Sequence, residues 1–254
     1  MTEDTAIDPV RGLVIGDAFG QTLQECWRAQ GAPGAVMELV ERDDGLLMAS
    51  DAAKYFTPPD QLDRLDGWAC QQAAGRVLDT GCGAGRHALA LADAGFDVVG
   101  MDNSPGAVTV ARRRGVTAVH GSLYEPPPDL GRFDTVLLLG NNLGLLGGSD
   151  RAPQVLMKLS ELAHPNALLI GSGTDPYGTD NPDHLAYHEH NRRHGRMAGQ
   201  LRLRVRHGRT ATEWFDYLFA SIQELSDLTD RSPWTLEHAE IEGAGYIAQL
   251  RKTA

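Results

Sequence analysis

The sequence predicts an α/β chain. Its centre is a doubly wound, seven-stranded, mostly parallel sheet, with an N-terminal helical and hairpin cap and an inserted helix–hairpin lid. Three observations predict this. From Arg76 onward, short Val- and Leu-rich runs alternate with helix-like stretches of about 10–15 residues, the pattern of βαβ units on a buried sheet. A turn with glycine at 81, 83 and 85 separates the first run from the first of those helices. The rhythm then breaks between Thr174 and Ala220 and resumes after it.

The elements follow in order. Pro9 to Gly31 reads as a helix with Val14, Ala18, Leu23 and Trp27 on its apolar face and glycine as its stop. "VMELVERDDGLLMAS" reads as a hairpin around Asp43-Asp44-Gly45. In "DAAKYFTPPDQLDRLDGWACQQAAG" the prolines open another helix, ending at Gly75. "RVLDTG", "DVVGMD", "VTAVHGS", "FDTVLLLG" and "ALLIGSG" are the first five core strands. The helices between them include "RHALALADAG", "SPGAVTVARRRG" and "DRAPQVLMKLSELA", the second with Ser104 at N-cap and Pro105 at N1. "DNPDHLAYHEHNRRHG" is a helix capped by Asp180 or Asn181. "QLRLRVRHG" and "TEWFDYLFA" alternate like a hairpin. Ser221 with Glu224 forms a capping box before the last helix, and "WTLEHAEIE" and "GYIAQLRK" complete the sheet. The expected division is a cap at 1–75, a core at 76–173 and 221–254, and an inserted lid at 174–220.

A strand, a glycine turn and a helix start together put backbone amides at the carboxyl edge of a sheet, where open α/β sheets bind ligands. The glycines do not have the spacing of a dinucleotide fingerprint. Asp79 ahead of them is a poor neighbour for a pyrophosphate and a suitable one for a cation. Asp102, at the end of the second strand, stands where an acid commonly binds ribose hydroxyls.

"VLDTGCGAGRHAL", "VVGMDNSPGAV" and "HGSLYEPPPDLGRFDTVLLLGNNLGLLG" together resemble the motifs of the class I, Rossmann-like S-adenosylmethionine (SAM) dependent methyltransferases, in particular stand-alone bacterial enzymes of specialised metabolism. The resemblance covers Arg76 to Gly173 and extends to the closing helix and strands. It implies a transferase with SAM as cofactor and S-adenosylhomocysteine (SAH) as product. It implies that Asp79, Gly81, Gly83 and Gly85 hold the methionine part and that Asp102 binds the ribose. Asn103, Ser122 and Leu123 would lie by the adenine, and Gly140 and Asn141 would face the methionine part and the acceptor. Ser122 departs from the acid many relatives carry there. Tyr55 and Phe56, ahead of the first strand, either close over SAM, with Phe56 beside the substrate, or serve ordinary packing.

Composition narrows the partners. A net charge of -11 argues against a general nucleic-acid binder and leaves a small molecule as the expected substrate. Cys26, Cys70 and Cys82 fit neither a disulfide framework nor a zinc spacing. With no signal-like core and no bilayer-length apolar run, a cytoplasmic monomer or homodimer without membrane contact is expected.

The acceptor must be read from the variable parts. On a helix, His184, Tyr187, His188 and Asn191 share one face. His188 and His184 are candidate bases with Tyr187 beside them, and Asn191 and Trp214 are candidate substrate contacts; the plainer reading of these rings is lid packing. His184 and His188 have a ligand spacing, yet no acid or cysteine pattern supports it, so no metal is expected. Arg202, Arg204 and Arg206 read as a solvated strand face or as an anchor for an anion. Trp214, Phe215 and Tyr217 either line an aromatic pocket or pack the hairpin. A cation at a helix start is unfavourable, so Arg86 and His87 either meet an acid, such as one from the lid, or Arg86 points to solvent. Methyl transfer to N, O or aromatic C of a small molecule is the expectation; a protein or peptide methyltransferase and a non-catalytic SAM-binding subunit are the alternatives.

Overall fold

The computed structural model describes residues 12–253 and, as backbone alone, a strand at Ile7–Asp8 (β1). The chain continues through β2 (Leu13–Ile15), α1 (Ala18–Arg28), β3 (Met37–Arg42), β4 (Leu47–Asp51) and α2 (Arg64–Gln72). Next come β5 (Val77–Thr80), α3 (Arg86–Asp93), β6 (Val98–Asp102), α4 (Pro105–Arg113), β7 (Ala118–His120), β8 (Phe133–Leu138), α5 (Ala152–Glu161) and β9 (Ala163–Thr174). After these lie α6 (Pro182–Arg193), β10 (Gln200–His207), β11 (Thr210–Ala211) and β12 (Phe215–Leu218). The last elements are α7 (Ile222–Thr229), β13 (Trp234–Glu242) and β14 (Gly245–Lys252).

The main sheet has the order β13-β14-β9-β8-β5-β6-β7. Strands β5 to β9 pair in parallel, whereas β14 runs antiparallel to β9 and to β13. Growth of the sheet reverses at β5, which has β6 on one side and β8 on the other, so a crevice opens at their carboxyl ends. Both faces are covered. Leu78, Phe133, Val136 and Leu169 pack against Leu156 and Leu159 of α5 and Leu225 of α7. Val77, Leu137, Ile170 and Ile247 pack against Ala69 of α2, Leu91 of α3 and Val108 of α4. The doubly wound, mostly parallel sheet is thus as the sequence predicts. Ser104 caps α4 through the Ala107 amide, and the Ser221–Glu224 capping box makes both of its bonds.

The amino-terminal elements depart from expectation. The helix expected over Pro9–Gly31 begins at Ala18, and Pro9–Arg11 lie outside the described residues. Leu13–Ile15 is extended because Val14 and Ile15 pair with Thr210 and Ala211, and Asp17 caps α1 through the Gly20 amide at 2.9 Å. Pro58 and Pro59 lead a 3-10 turn rather than the next helix, which starts after its own cap, Asp63.

The first residues and the segment after α6 build one further sheet, ordered β1-β2-β11-β10-β3-β4, with β12 also on β10. The register sets Arg204 opposite Glu41. Their side chains pair at 2.9 Å while nearly fully buried, and the Arg204 guanidinium lies 4.4 Å from the Trp214 ring centroid. Arg204 is therefore not on a solvated face. No helix among the described residues is long and apolar enough to cross a membrane.

Candidate functional site

Where β5, β6 and β8 end, the two sheets enclose a cavity of about 1040 Å³. The glycine turn forms its floor. Gly81 and Gly83 both have left-handed backbone, at φ +71° and +53°. A Cβ on Gly81 would meet the Asn142 amide at 2.5 Å, so only glycine fits the turn there. Gly83 keeps a bare Cα toward Phe19 and Tyr55, whose rings lie 3.7 Å from where its Cβ would sit.

Asp102 fixes this turn from the next strand. Its Oδ2 accepts from the Gly83 amide at 2.8 Å and its Oδ1 from the Ser104 amide at 2.9 Å. Burial pushes its pKa up to about 6, although the two amides pull the other way. Asp79 is buried too; desolvation raises its pKa, opposed by His87, and its Oδ2 has no hydrogen-bond partner among the described residues.

Arg86 and His87 do find an acid. Both reach Asp66 of α2, at 2.8 and 3.0 Å. Burial alone would raise the Asp66 pKa, yet His87 and Arg86 hold it below the ordinary value.

Of the residues singled out in the sequence, Gly81, Gly83, Asp102, Asn103, Gly140, Asn141, Tyr55 and Trp214 line the cavity. Others do not. Gly85 turns into α3, and a Cβ there would meet Val116 at 2.6 Å, so its smallness serves packing. Leu123 is buried in the core, Ser122 accepts from the Glu125 amide in a turn, and Tyr124 lines the cavity in their place. Phe56 stacks on Trp27.

The face of α6 is likewise elsewhere. Tyr187 packs on Leu201 and Leu203, donates to Asp43 at 2.6 Å, and lines a separate cleft of about 570 Å³. Asn191 donates to the carbonyls of Ala198 and Gln200. His188 is buried, and desolvation lowers its pKa. His184 sits with its Nδ1 3.4 Å from the Thr179 hydroxyl. The helix periodicity brought these side chains onto one side, but that side docks on the second sheet rather than on the cavity.

Glu38, Phe19, Asp17 and Asn142, which no motif in the sequence singles out, also stand in the cavity wall. Glu38 accepts from Ser50, Lys54 and Tyr55 at 3.1, 2.7 and 2.8 Å. The sequence pattern pointed the other way: Glu38 shares its strand face with Val40, and the more apolar face of Met37 and Leu39 is the exposed one. Among the described residues no group of three or more His, Cys, Asp or Glu could hold a metal ion.

The cradle fits SAM. Bare Gly83 admits close approach and Asp102 offers acceptors to a diol, whereas Asp79, with its unpartnered oxygen, is buried and does not itself line the cavity.

Comparison with known proteins agrees. Residues 77–166 match the family model described as a methyltransferase domain. A SAM-dependent methyltransferase from Bacteroides fragilis, solved with S-adenosyl-L-homocysteine, is 25% identical, covers 99% of each chain and has a TM-score of 0.78. The dTDP-3-amino-3,6-dideoxy-alpha-D-glucopyranose N,N-dimethyltransferase of Streptomyces fradiae is 31% identical over 38% of this chain and 38% of that protein. The magnesium-protoporphyrin O-methyltransferase of Rhodobacter capsulatus is 35% identical over 34% of this chain and 39% of that protein. The chain spans less than half the length of the curated relatives it matches.

Proposed function

We propose that this chain, in fold and kinship a class I SAM-dependent methyltransferase, moves a methyl group onto a small molecule held between its two sheets. The carrying observation is the join of the left-handed glycine turn to the Asp102 carboxylate on the floor of a cavity that the second sheet roofs. When bound, SAM supplies a methyl group already activated by its sulfonium. The protein therefore has to orient, shield and align rather than activate. Gly81 and Gly83 are assigned to the methionine part, Asp79 to its ammonium, Asp102 and Asn103 to the nucleoside, and Tyr55 with Phe19 to the cover. Residues 76–173 and 221–253 hold the donor; 12–75 and 174–220 together close over it. A roofed cavity with aromatic walls suits a small acceptor better than a peptide, in keeping with the amino-sugar named for the Streptomyces relative. The testing experiment is calorimetry of the full chain with SAH, for which micromolar binding is expected; no binding of SAH or SAM would refute the reading.

Asp102 makes this binding pH-dependent. Its carboxyl titrates near 6 in the fold, above the ordinary value of about 3.9. Between those values the folded chain holds a proton that the unfolded chain has lost, so this group's contribution to stability falls as pH rises from about 4 to 6. Ligand binding runs the other way, because only the carboxylate offers acceptors on both oxygens. SAH affinity is expected to weaken as pH drops from about 7.5 to 5, with most of the slope removed in Asp102→Asn; an equal slope in that variant would assign the titration elsewhere.

His188, placed in the packing of α6, gives a contrasting expectation. His188→Ala should lower the unfolding temperature and leave the Kd for SAH within about threefold. A tenfold loss of SAH affinity at unchanged stability would return this ring to the site.

A further inference from the structure

Kinship leaves the acceptor atom open, since relatives named for N- and for O-methylation both match. The cavity wall is more specific. Tyr55, Tyr124 and Tyr217 all line it, and each phenol has already given its proton to the protein. Tyr55 donates to Glu38 at 2.8 Å, Tyr217 to the Asn141 carbonyl, and Tyr124 to the Leu145 carbonyl at 3.4 Å. A hydroxyl carries one proton and two lone pairs, so a phenol spent in this way can only accept from a ligand. Burial pushes the Tyr55 and Tyr217 phenols above their ordinary pKa, which keeps them neutral.

Three cations in the cavity wall are charge-paired, each keeping further N–H groups. Lys54 is tied to Glu38, Arg86 to Asp66 and Arg151 to Asp216. The Asn142 amide nitrogen is tied to the carbonyls of Thr80 and Gly81, leaving its oxygen for a ligand. Phe19 meets Tyr55 edge-on at 5.3 Å, and Phe215 and Phe219 flank Tyr217.

We propose that the acceptor this cavity takes is an amine, its N–H groups received by the phenol oxygens of Tyr55 and Tyr217; the inference rests on the methyltransferase reading above. A neutral amine must turn its lone pair to the methyl carbon while its hydrogens find acceptors. As the nitrogen–carbon bond forms, the carbon–sulfur pair stays on sulfur, and the positive charge passes to nitrogen. Spent phenols and ring faces stabilise that charge without having to turn. The product ammonium then gives its extra proton to solvent. A hydroxyl acceptor would need a base, and here the phenols are neutral and Glu38 is engaged by Lys54.

Sinefungin tests this on the full chain, because it carries a primary ammonium on carbon where SAM carries the sulfonium methyl. By calorimetry, sinefungin is expected to bind about tenfold tighter than SAH. Tyr55→Phe and Tyr217→Phe should each bring that ratio toward one, whatever their effect on SAH itself, and thermal unfolding close to that of the unaltered chain shows that the variants fold. A ratio of one in the unaltered chain, or a ratio untouched by both variants, overturns the proposal. Failure of the unaltered chain to bind either compound would instead refute the methyltransferase reading. In turnover assays with SAM and a panel of amines and phenols, N-methyl products support the inference, and O-methyl products alone overturn it.

Discussion

Asp102→Ala is expected to weaken SAH binding by two orders of magnitude or more. The carboxylate accepts from the Gly83 and Ser104 amides, so it holds the glycine turn and the start of α4 in one frame. Asp102 also lines the cavity, where a ribose diol would donate two hydrogen bonds to its remaining lone pairs. Bonds to a charged group are worth about 1.5–3 kcal/mol each, so losing two removes roughly 3 kcal/mol or more, at least a hundredfold in Kd. Loss of the turn's anchor adds to this. The fold should tolerate the change, because burying this carboxylate already opposes folding near neutral pH, as its raised pKa shows. Calorimetry alongside thermal unfolding separates the effects: native-like unfolding with SAH affinity lost is expected, and a Kd within threefold of the unaltered chain would remove Asp102 from the nucleoside site.

Much of the turn at the carboxyl edge of the main sheet was legible because it is local. The glycine turn, Asp79, Asp102 and the Ser104–Pro105 helix start all lie within one stretch of sequence, and each is specified by backbone geometry. Far less of the cover was legible, because its contacts are non-local. Leu13–Ile15 looks like the first turn of a helix until Thr210 and Ala211 arrive beside it. Helix periodicity rightly grouped Tyr187, His188 and Asn191, which are all buried. Periodicity states which residues share a face, not what that face meets, and here it meets β10 and Asp43. Glu38 was hidden for the opposite reason: an inward carboxylate in a hairpin gains meaning only when Tyr55 and Lys54 are folded onto it.

Gly106→Val should have the second large effect, through the joint between α1 and the start of α4, which the proposed function places between cover and donor. Helix α1 crosses the start of α4 at Gly106, where an added Cβ would stand 2.7 Å from the Gly20 Cα and 2.9 Å from its carbonyl carbon. Backbone atoms cannot swing aside as a side-chain tip can, so α1 must move. The Asp17 carboxylate bridges the same joint: it accepts from the Gly20 amide in α1 and from the Ser104 hydroxyl and Gly106 amide in α4, at 2.9, 2.7 and 2.8 Å. Displacing α1 stretches this bridge and carries Phe19 away from Gly83. Overpacking costs about 1–3 kcal/mol and the strained bridge adds to it, so a total near 3 kcal/mol is expected. For a chain of this size that is a fall of roughly 6–12 °C in Tm. SAH affinity should drop more than tenfold, because the cover shifts even in molecules that stay folded. Gly67→Val in α2 is the control, since a Cβ there meets nothing within 4 Å. If Gly106→Val matched Gly67→Val in both Tm and SAH affinity, α1 would be free to shift without consequence, and the Asp17 joint would not be what holds the cover over the donor.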